Sequence, residues 1–416
     1  EDNQEIIQID TPISPHLEIT EFTDRVCKGP EEKNKALYFT NINGHDVPVV
    51  INLFGSAERM AIALGVGELD ELNQQLSAVI NPRLPTDLRE TINRGQSILN
   101  VFRSIGMRPK KVKQAPVQEI VKTDNLSLDF LPILHCWPKD GGRFITLPQV
   151  ITRDPESNVR NVGMYRLQVI DEKTLLVHWQ RHKGGAEHER VAKHIQKEQI
   201  PAAIVLGGDP ASMWCASAPL PPNIDEYLLA GYLQGTPVAF VDCVSQPLEV
   251  PAQAEIVIEG YVDPNDHRPE GPFGDHTGFY SPADRYPVFH VTSITCRNDA
   301  VYPTTIVGKP PMEDCYMAKA TERIFLPAIK MIIPEIVDME LPMEGVFHNC
   351  ALISIDKKFP GQAKKVINAL WGLGQMASTK YIAVFDKDID LRDSRTVVWK
   401  LLNNVDPKRD LLASEG

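Results

Sequence analysis

The run Glu270-Gly-Pro-Phe-Gly-Asp275-His-Thr-Gly-Phe-Tyr280 places two carboxylates five residues apart around two glycines and a proline. Glycine and proline cannot continue a helix and poorly support a central strand. The stretch therefore predicts a loop with a fixed, kinked path. Phe273, Phe279 and Tyr280 predict that this loop faces inward. Two acids carried on a shaped, inward loop suit proton movement. An isolated E-x-x-x-x-D would read instead as a surface turn with solvated carboxylates.

Outward from this loop the chain is rich in strand-like runs. Thr146–Arg153, Gly163–Asp171, Thr174–Trp179, Ala202–Leu206, Val238–Val244, Glu255–Val262 and Val288–Thr295 are separated by turn residues. Asp171-Glu172-Lys173 predicts a tight hairpin. Many short strands with regular turns suggest a sandwich or barrel. One helix, Ile224–Gln234, interrupts them with Asn223 as its expected N-cap. The first hundred residues mix elements: a hairpin of Ala36–Thr40 and Val47–Leu53 around Asn43-Gly44, then helices at Ser56–Leu64, Leu69–Ala78 and Asp87–Ile105. Lys110, Lys111 and Lys113 predict an exposed connector. After Pro311 a helix over Glu313–Ile333 precedes Cys350–Ile355, Gly361–Leu373, Tyr381–Phe385 and Ser394–Leu402. That strand–helix–strand–helix order predicts a small α/β domain. The expected fold class is α+β: an N-terminal α/β region over 1–115, a strand-rich middle over 116–305, and a C-terminal α/β domain over 306–416.

Composition narrows the function classes. With 416 residues, 43% hydrophobic and 24% charged, the chain fits a soluble globular protein of two or three domains. A net charge of −12 disfavours nonspecific nucleic-acid binding, which needs a basic footprint. Seven scattered cysteines without C-x-x-C, and no recognisable secretory signal, predict a reducing cytoplasm. The weakly charged stretch Pro201–Ile224 is too interrupted by Gly and Pro to span a bilayer.

Three further stretches carry chemistry. In Asn161-Val-Gly-Met-Tyr-Arg166-Leu-Gln-Val, strand alternation would point Met164, Arg166 and Gln168 to one face. An arginine among apolar strand residues needs an anion, either a local acid or a bound carboxylate. His178-Trp179-Gln180-Arg181-His182-Lys183-Gly184-Gly185 sets basic groups beside two glycines, which suits a phosphate. It matches neither a dinucleotide nor a nucleoside-triphosphate loop. Asp225-Glu226 at a helix start reads simply as complementing the helix dipole.

Taken in order, Asn161–Val169, His178–Gly185, the Gly207–Pro210 turn, Asp225–Gly231, Glu270–Tyr280 and Trp371–Lys380 resemble the UbiD family of decarboxylases, over nearly the whole chain. The pairing of E-G-P-[FY]-G-[DE] with N-x-G-x-Y-R is specific. The resemblance implies a central split β-barrel that binds prenylated FMN. It implies a C-terminal domain that makes homodimers or homohexamers, and hinge closure over the site. It also implies Asn161, His182 and Glu226 as ligands of Mn²⁺ or Mg²⁺ at the flavin phosphate, often beside K⁺. Met164, Tyr165, Arg166, His178, Trp179, Gln180, Lys183 and Gly184 match flavin-lining positions. Arg166, Glu270 and Asp275 match the reaction centre, with Asp275 the expected proton donor.

The implied activity is reversible, non-oxidative decarboxylation of an aromatic or α,β-unsaturated acid, with a flavin prenyltransferase supplying the cofactor. Asp275 in place of the commoner Glu, and the Y-R-x-Q-V wording, resemble the 4-hydroxy-3-polyprenylbenzoate branch of quinone biosynthesis. A lipid-tailed substrate would bring the enzyme to a membrane surface. Simple hydroxybenzoate, vanillate or enoic-acid decarboxylases are the near alternatives. A flavin-binding module without turnover and a metal-dependent hydrolase are alternatives of other classes; the presence of Arg166, Glu270 and Asp275 together argues against the first of these two.

Overall fold

The computed structural model describes residues 5–80, 110–221 and 224–414. The helix expected over Asp87–Ile105, and the expected cap Asn223, lie outside the described residues. The chain divides into two compact units, one within 1–67 and 85–317, the other within 68–84 and 318–416.

In the first unit, Ala36–Phe39 and Val49–Ile51 form the expected antiparallel hairpin. Ile6–Ile9 pairs with its first strand and Tyr302–Thr304 with its second, both parallel, completing a four-stranded sheet. The helix expected near Ser56–Leu64 runs Ala57–Ala63, capped by the Ser56 hydroxyl.

Most of the strand-rich middle folds into a nine-stranded sheet, while Ala239–Asp242 joins Glu249–Pro251 and Lys110–Lys111 in a separate three-stranded one. The order of the larger sheet is Phe144–Ile145, Leu167–Val169, Thr174–Val177, Asp284–Cys296, Ile256–Glu270, Ile200–Leu206, Pro148–Arg153 and Arg160–Gly163, with Ile120–Lys122 also pairing Asp284–Cys296. Every pairing in it is antiparallel. Ile204, Ile258, Phe289, Ile294, Leu175 and Leu206 are fully buried, so these β-branched and apolar runs form the core.

The sheet puts chemistry in a row. Val177 pairs with Leu167, so the next residues out, His178 and Arg166, lie opposite each other, and the His178 N–H donates to the Arg166 carbonyl. Leu176 pairs with Val288, which carries the register outward to His178 beside Tyr286. On the other side of that strand, Arg268 pairs with Tyr286 and Glu270 with Asp284. Four adjacent strands thus bring Arg166, His178, Tyr286 and Glu270 to one sheet end.

Several expectations need correction. The run expected as one strand over Gly163–Asp171 is broken: one strand ends at Gly163, the next begins at Leu167, and the Met164 N–H goes to the Ala216 carbonyl instead of a ladder partner. Arg166 is therefore at a strand break, where its side chain is free of strict alternation. The Glu270–Tyr280 stretch is not simply a loop. Glu270 ends a 15-residue strand, and Phe273–Gly274 pairs with Tyr280–Ser281 as a short hairpin. Phe273 is buried, but Phe279 is 78% exposed and Tyr280 is exposed as well. The turn closed by the Gly278 N–H on the Asp275 carbonyl is followed by Phe279, whose carbonyl accepts the Asp275 N–H while its ring faces solvent. Lys110–Lys111 is exposed as expected, yet it is a strand paired with Ala239–Asp242. The interrupting helix begins at Glu226, capped by Asp225, two residues after the expected start.

In the second unit, Cys350–Ile355, Tyr381–Asp386 and the helices Gln362–Trp371 and Ser394–Asn404 follow the expected order. An additional strand, Ile336–Glu340, completes a three-stranded sheet. Leu326, Ile333, Ile353, Ile355 and Leu370 fill its core.

Candidate functional site

Arg166 joins both acids of the Glu270–Tyr280 segment. Its Nε donates to Glu270 Oε1 at 2.7 Å, its Nη2 to Glu270 Oε2 at 3.1 Å, and its Nη1 to Asp275 Oδ2 at 3.1 Å. The guanidinium lies 4.3 Å over the Phe273 ring centre, a cation–π contact that fixes its plane. The Glu270 side chain is fully buried and Arg166 nearly so. His178 Nδ1 lies 3.3 Å from Glu270 Oε2, and its ring packs on Tyr286 with centres 4.2 Å apart.

Burial pushes the Glu270 carboxyl up, but the hydrogen bonds from His178 and Arg166 outweigh it and hold the group below its ordinary range. Asp275 shows the same contest. Burial raises it, while His276, Ser281 and Arg166 hold it well below the usual carboxylate range. Both acids are thus ionised partners of one arginine in the resting site.

The acid-bearing segment is clamped from behind. Asp140 Oδ1 accepts the Gly274 N–H at 2.6 Å and its Oδ2 accepts the Trp137 N–H at 2.8 Å. Gln168 accepts the Gly271 N–H at 2.7 Å and donates to the Gly141 carbonyl at 2.8 Å. A Cβ on Gly141 would fall 2.2 Å from the Gly271 carbonyl oxygen, so only glycine permits this approach.

A second cluster surrounds Asn161. Its Nδ2 lies 3.4 Å from the Tyr165 hydroxyl, which also accepts the Gly185 N–H at 3.3 Å. A Cβ on Gly184 would fall 1.9 Å from Asn161 Oδ1, and one on Gly185 would fall 2.4 Å from Trp179 Nε1. Glu226 Oε2 accepts the Val162 N–H at 2.9 Å, next along the strand from Asn161. Burial lifts the Glu226 carboxyl to about 7. Asp225, not Glu226, satisfies the helix start, accepting the Tyr227 N–H and pairing with Arg160. The dipole reading of Asp225-Glu226 therefore holds for Asp225 and leaves Glu226 turned to the Asn161 strand.

Of the expected flavin-lining residues, Trp179 is buried and its Nε1 has no hydrogen-bond partner among the described residues, while Gln180 and His182 lie toward solvent. Burial, then the Lys183 charge, lower the His182 pKa. Burial likewise lowers the Lys183 pKa, and its ammonium meets no acid among the described residues. No hydrogen bond or ion pair there joins His182 to Asn161 or Glu226; the link is Gly184, two residues on, packed against Asn161.

These residues fit an anionic cofactor with a hard divalent cation. A partly buried lysine without an acid calls for an anion such as a phosphate. A buried carboxyl raised toward neutrality, one backbone position from Asn161, suits a cation of oxygen preference.

Sequence reasoning missed the contacts that tune the acids. His178 was expected to line the flavin; it also bonds Glu270. His276 and Ser281, both on Asp275, were not singled out, nor were Asp140 and Gln168 as clamps. The Asp275-His276 adjacency was the available signal.

One arginine thus joins a buried and a half-buried acid at the end of the sheet, a site of closely paired ionisable groups. The chain belongs to the UbiD family: the 3-octaprenyl-4-hydroxybenzoate carboxy-lyase N-terminal, Rift-related and C-terminal domain models match residues 1–79, 110–310 and 315–416. An uncharacterised protein of Aquifex aeolicus is 52% identical over 413 residues, covering 99% of this chain and 84% of that protein. An evolved dimeric form of the UbiD-class enzyme HmfF from Pelotomaculum thermopropionicum, in complex with prFMN, superposes with a TM-score of 0.84 at 28% identity, over 98% of this chain and 88% of that one. The closed form of Sedimentibacter hydroxybenzoicus vanillic acid decarboxylase gives a TM-score of 0.84 at 27% identity, over 98% and 83%.

Proposed function

We propose that this enzyme uses prenylated FMN to remove CO₂ reversibly from an aromatic or α,β-unsaturated carboxylic acid, with Arg166, Glu270 and Asp275 at the reaction centre. The carrying observation is the Arg166 fork, with contacts of 2.7 and 3.1 Å to Glu270 and 3.1 Å to Asp275. Three of its N–H groups are engaged there, and an arginine has five, so two remain for a substrate carboxylate. The chemistry supplied by bound prenylated FMN is electrophilic, an electron sink for the pair left when the C–CO₂ bond breaks. Asn161, His182 and Glu226 would hold Mn²⁺ or Mg²⁺, with K⁺ nearby, and Lys183 and Trp179 Nε1 would meet the cofactor's polar groups. Arg166 orients the substrate acid and keeps Glu270 aligned. Arg166 bridges Glu270 and Asp275.

The substrate we favour is 4-hydroxy-3-polyprenylbenzoate, because Asp275 and the Y-R-x-Q-V run match that branch and the family models carry that description. Its tail would draw a cytoplasmic enzyme to the membrane surface; among the described residues no helix is long and apolar enough to cross one. A simple hydroxybenzoate such as vanillate is the second reading, favoured by the Sedimentibacter neighbour. A homo-oligomer, fed by a flavin prenyltransferase, completes the proposal.

The test is purification from cells co-expressing a flavin prenyltransferase, followed by absorbance and CO₂ release with prenylated and simple hydroxybenzoates. A flavin-like spectrum and CO₂ release that depends on it are expected. A colourless, fully active protein would overturn the proposal.

A further inference from the structure

We propose that His276 is the resting proton store that charges Asp275, with the buried carboxyl of Asp314 as a second acid acting on that imidazole. The inference rests on the decarboxylase reading above. Each turnover consumes one proton: the carbon that loses CO₂ must gain hydrogen. Asp275 is the nearest acid to Arg166 after Glu270, yet its surroundings supply four donors. Oδ2 takes Arg166 Nη1 and the Ser281 hydroxyl; Oδ1 takes the His276 backbone N–H at 2.8 Å and faces His276 Nδ1 at 2.6 Å. A carboxylate so surrounded is an acceptor only, and carries no proton to give.

The proton must then come through one of those donors. A guanidinium and a backbone amide do not release protons near neutrality, and a serine hydroxyl is a weak acid. Imidazole is the one group of the four built to do so. In the transfer, the His276 Nδ1–H bond breaks as an O–H bond forms on Asp275 Oδ1. The carboxyl then gives its proton to the carbon vacated by CO₂, and neutral His276 regains a proton from water.

Asp314 supplies the electrostatic backing. It lies in the first turn of the helix Glu313–Ile332, and both its carboxyl oxygens are shielded from solvent, with the backbone N–H and thiol of Cys315 beside them. Burial outweighs the downward pull of His276 and Cys315, neighbouring Glu313 adds to it, and the carboxyl is raised to about 7. Among the described residues, the charged groups with the largest effect on His276 are Asp275, Asp314 and Arg166. Burial lowers the imidazole pKa and Arg166 adds to that, but Asp275 and Asp314 prevail and the net direction is up. The protonated ring is thus the favoured resting form.

Two measurements test this. In cofactor-free protein carrying isotope-labelled histidine, the NMR resonance lost in His276→Gln should titrate above the ordinary histidine range and move down in Asp314→Asn. Titration at or below that range, or no movement in Asp314→Asn, overturns the proposal. In the loaded enzyme, His276→Gln should retain first-turnover CO₂ release while product protonation slows by roughly 10²–10⁴-fold, and Asp314→Asn should shift the alkaline limb of the turnover profile to lower pH. If His276→Gln turns over at the wild-type rate, the store is elsewhere. If instead wild-type protein releases no CO₂ at all, the decarboxylase reading fails, and the NMR titration still reports on the pair.

Discussion

Arg166→Met would remove a guanidinium of nearly full burial while keeping an apolar side chain over Phe273. Glu270, with no exposed side-chain surface, would lose both short contacts and keep only His178. In the native site Glu270 is held below its ordinary pKa, so its stabilising contribution is present above the unfolded value and is lost as pH falls through the folded value. In the variant, burial acts with less opposition and the folded pKa rises, so stability is lost as pH rises instead. Leaving a buried charge unpaired costs about 3–5 kcal/mol. At ~2 °C per kcal/mol that is a fall of about 6–10 °C in Tm near neutral pH. At about pH 4, where Glu270 is protonated in the variant, the penalty should shrink to about 1 kcal/mol, the lost cation–π contact. Urea denaturation at both pH values, with Glu270→Gln and the double variant closing a thermodynamic cycle, measures it. A loss below about 1 kcal/mol at neutral pH, or one that does not change with pH, would refute a buried Arg166–Glu270 pair.

The other predictions concern the supports of the two clusters. Glu226 is raised from 4.5 to about 7 by burial, so metal-free protein should lose stability as pH rises through that window, by roughly 3 kcal/mol relative to Glu226→Gln, and Mn²⁺ should restore it; parallel pH profiles for the two proteins would remove Glu226 from the metal set. Gly184→Ala would drive a methyl into Asn161 Oδ1, so Mn²⁺ affinity measured by chelator competition should fall roughly 10–100-fold; unchanged affinity would separate Asn161 from the metal. Asp140→Asn keeps one acceptor oxygen for two backbone N–H groups, so it should cost about 1–3 kcal/mol in chemical denaturation. A loss within the scatter of surface substitutions would mean the clamp behind Gly274 is dispensable.

What was legible in the sequence was local. The Ala36–Phe39/Val49–Ile51 hairpin, the Ser56-capped helix and the C-terminal strand–helix alternation follow from turn residues, caps and periodicity. The need of Arg166 for an anion was legible from the cost of an unpaired charge. Its partner came from motif resemblance and not from residue chemistry, because 104 residues separate it from Glu270 and only strand pairing brings them together. The inward reading of Phe279 failed because a tight turn directly before it reorients the chain and leaves the ring facing solvent. The break at Met164–Arg166 was hidden because the Ala216 carbonyl that takes the Met164 N–H lies on a distant helix end. The joint reading of Asn161, His182 and Glu226 came from motif resemblance; residue chemistry alone left Glu226 as a helix-start acid.

The central claim is that Glu270, held by Arg166, is required for breaking the C–CO₂ bond and not for holding the cofactor. The direct measurement is the flavin-to-protein ratio and the CO₂ release of Glu270→Gln purified beside wild type from cells making prenylated FMN. Equal flavin content with CO₂ release abolished is the predicted result; turnover near that of wild type, or loss of the flavin itself, would contradict it.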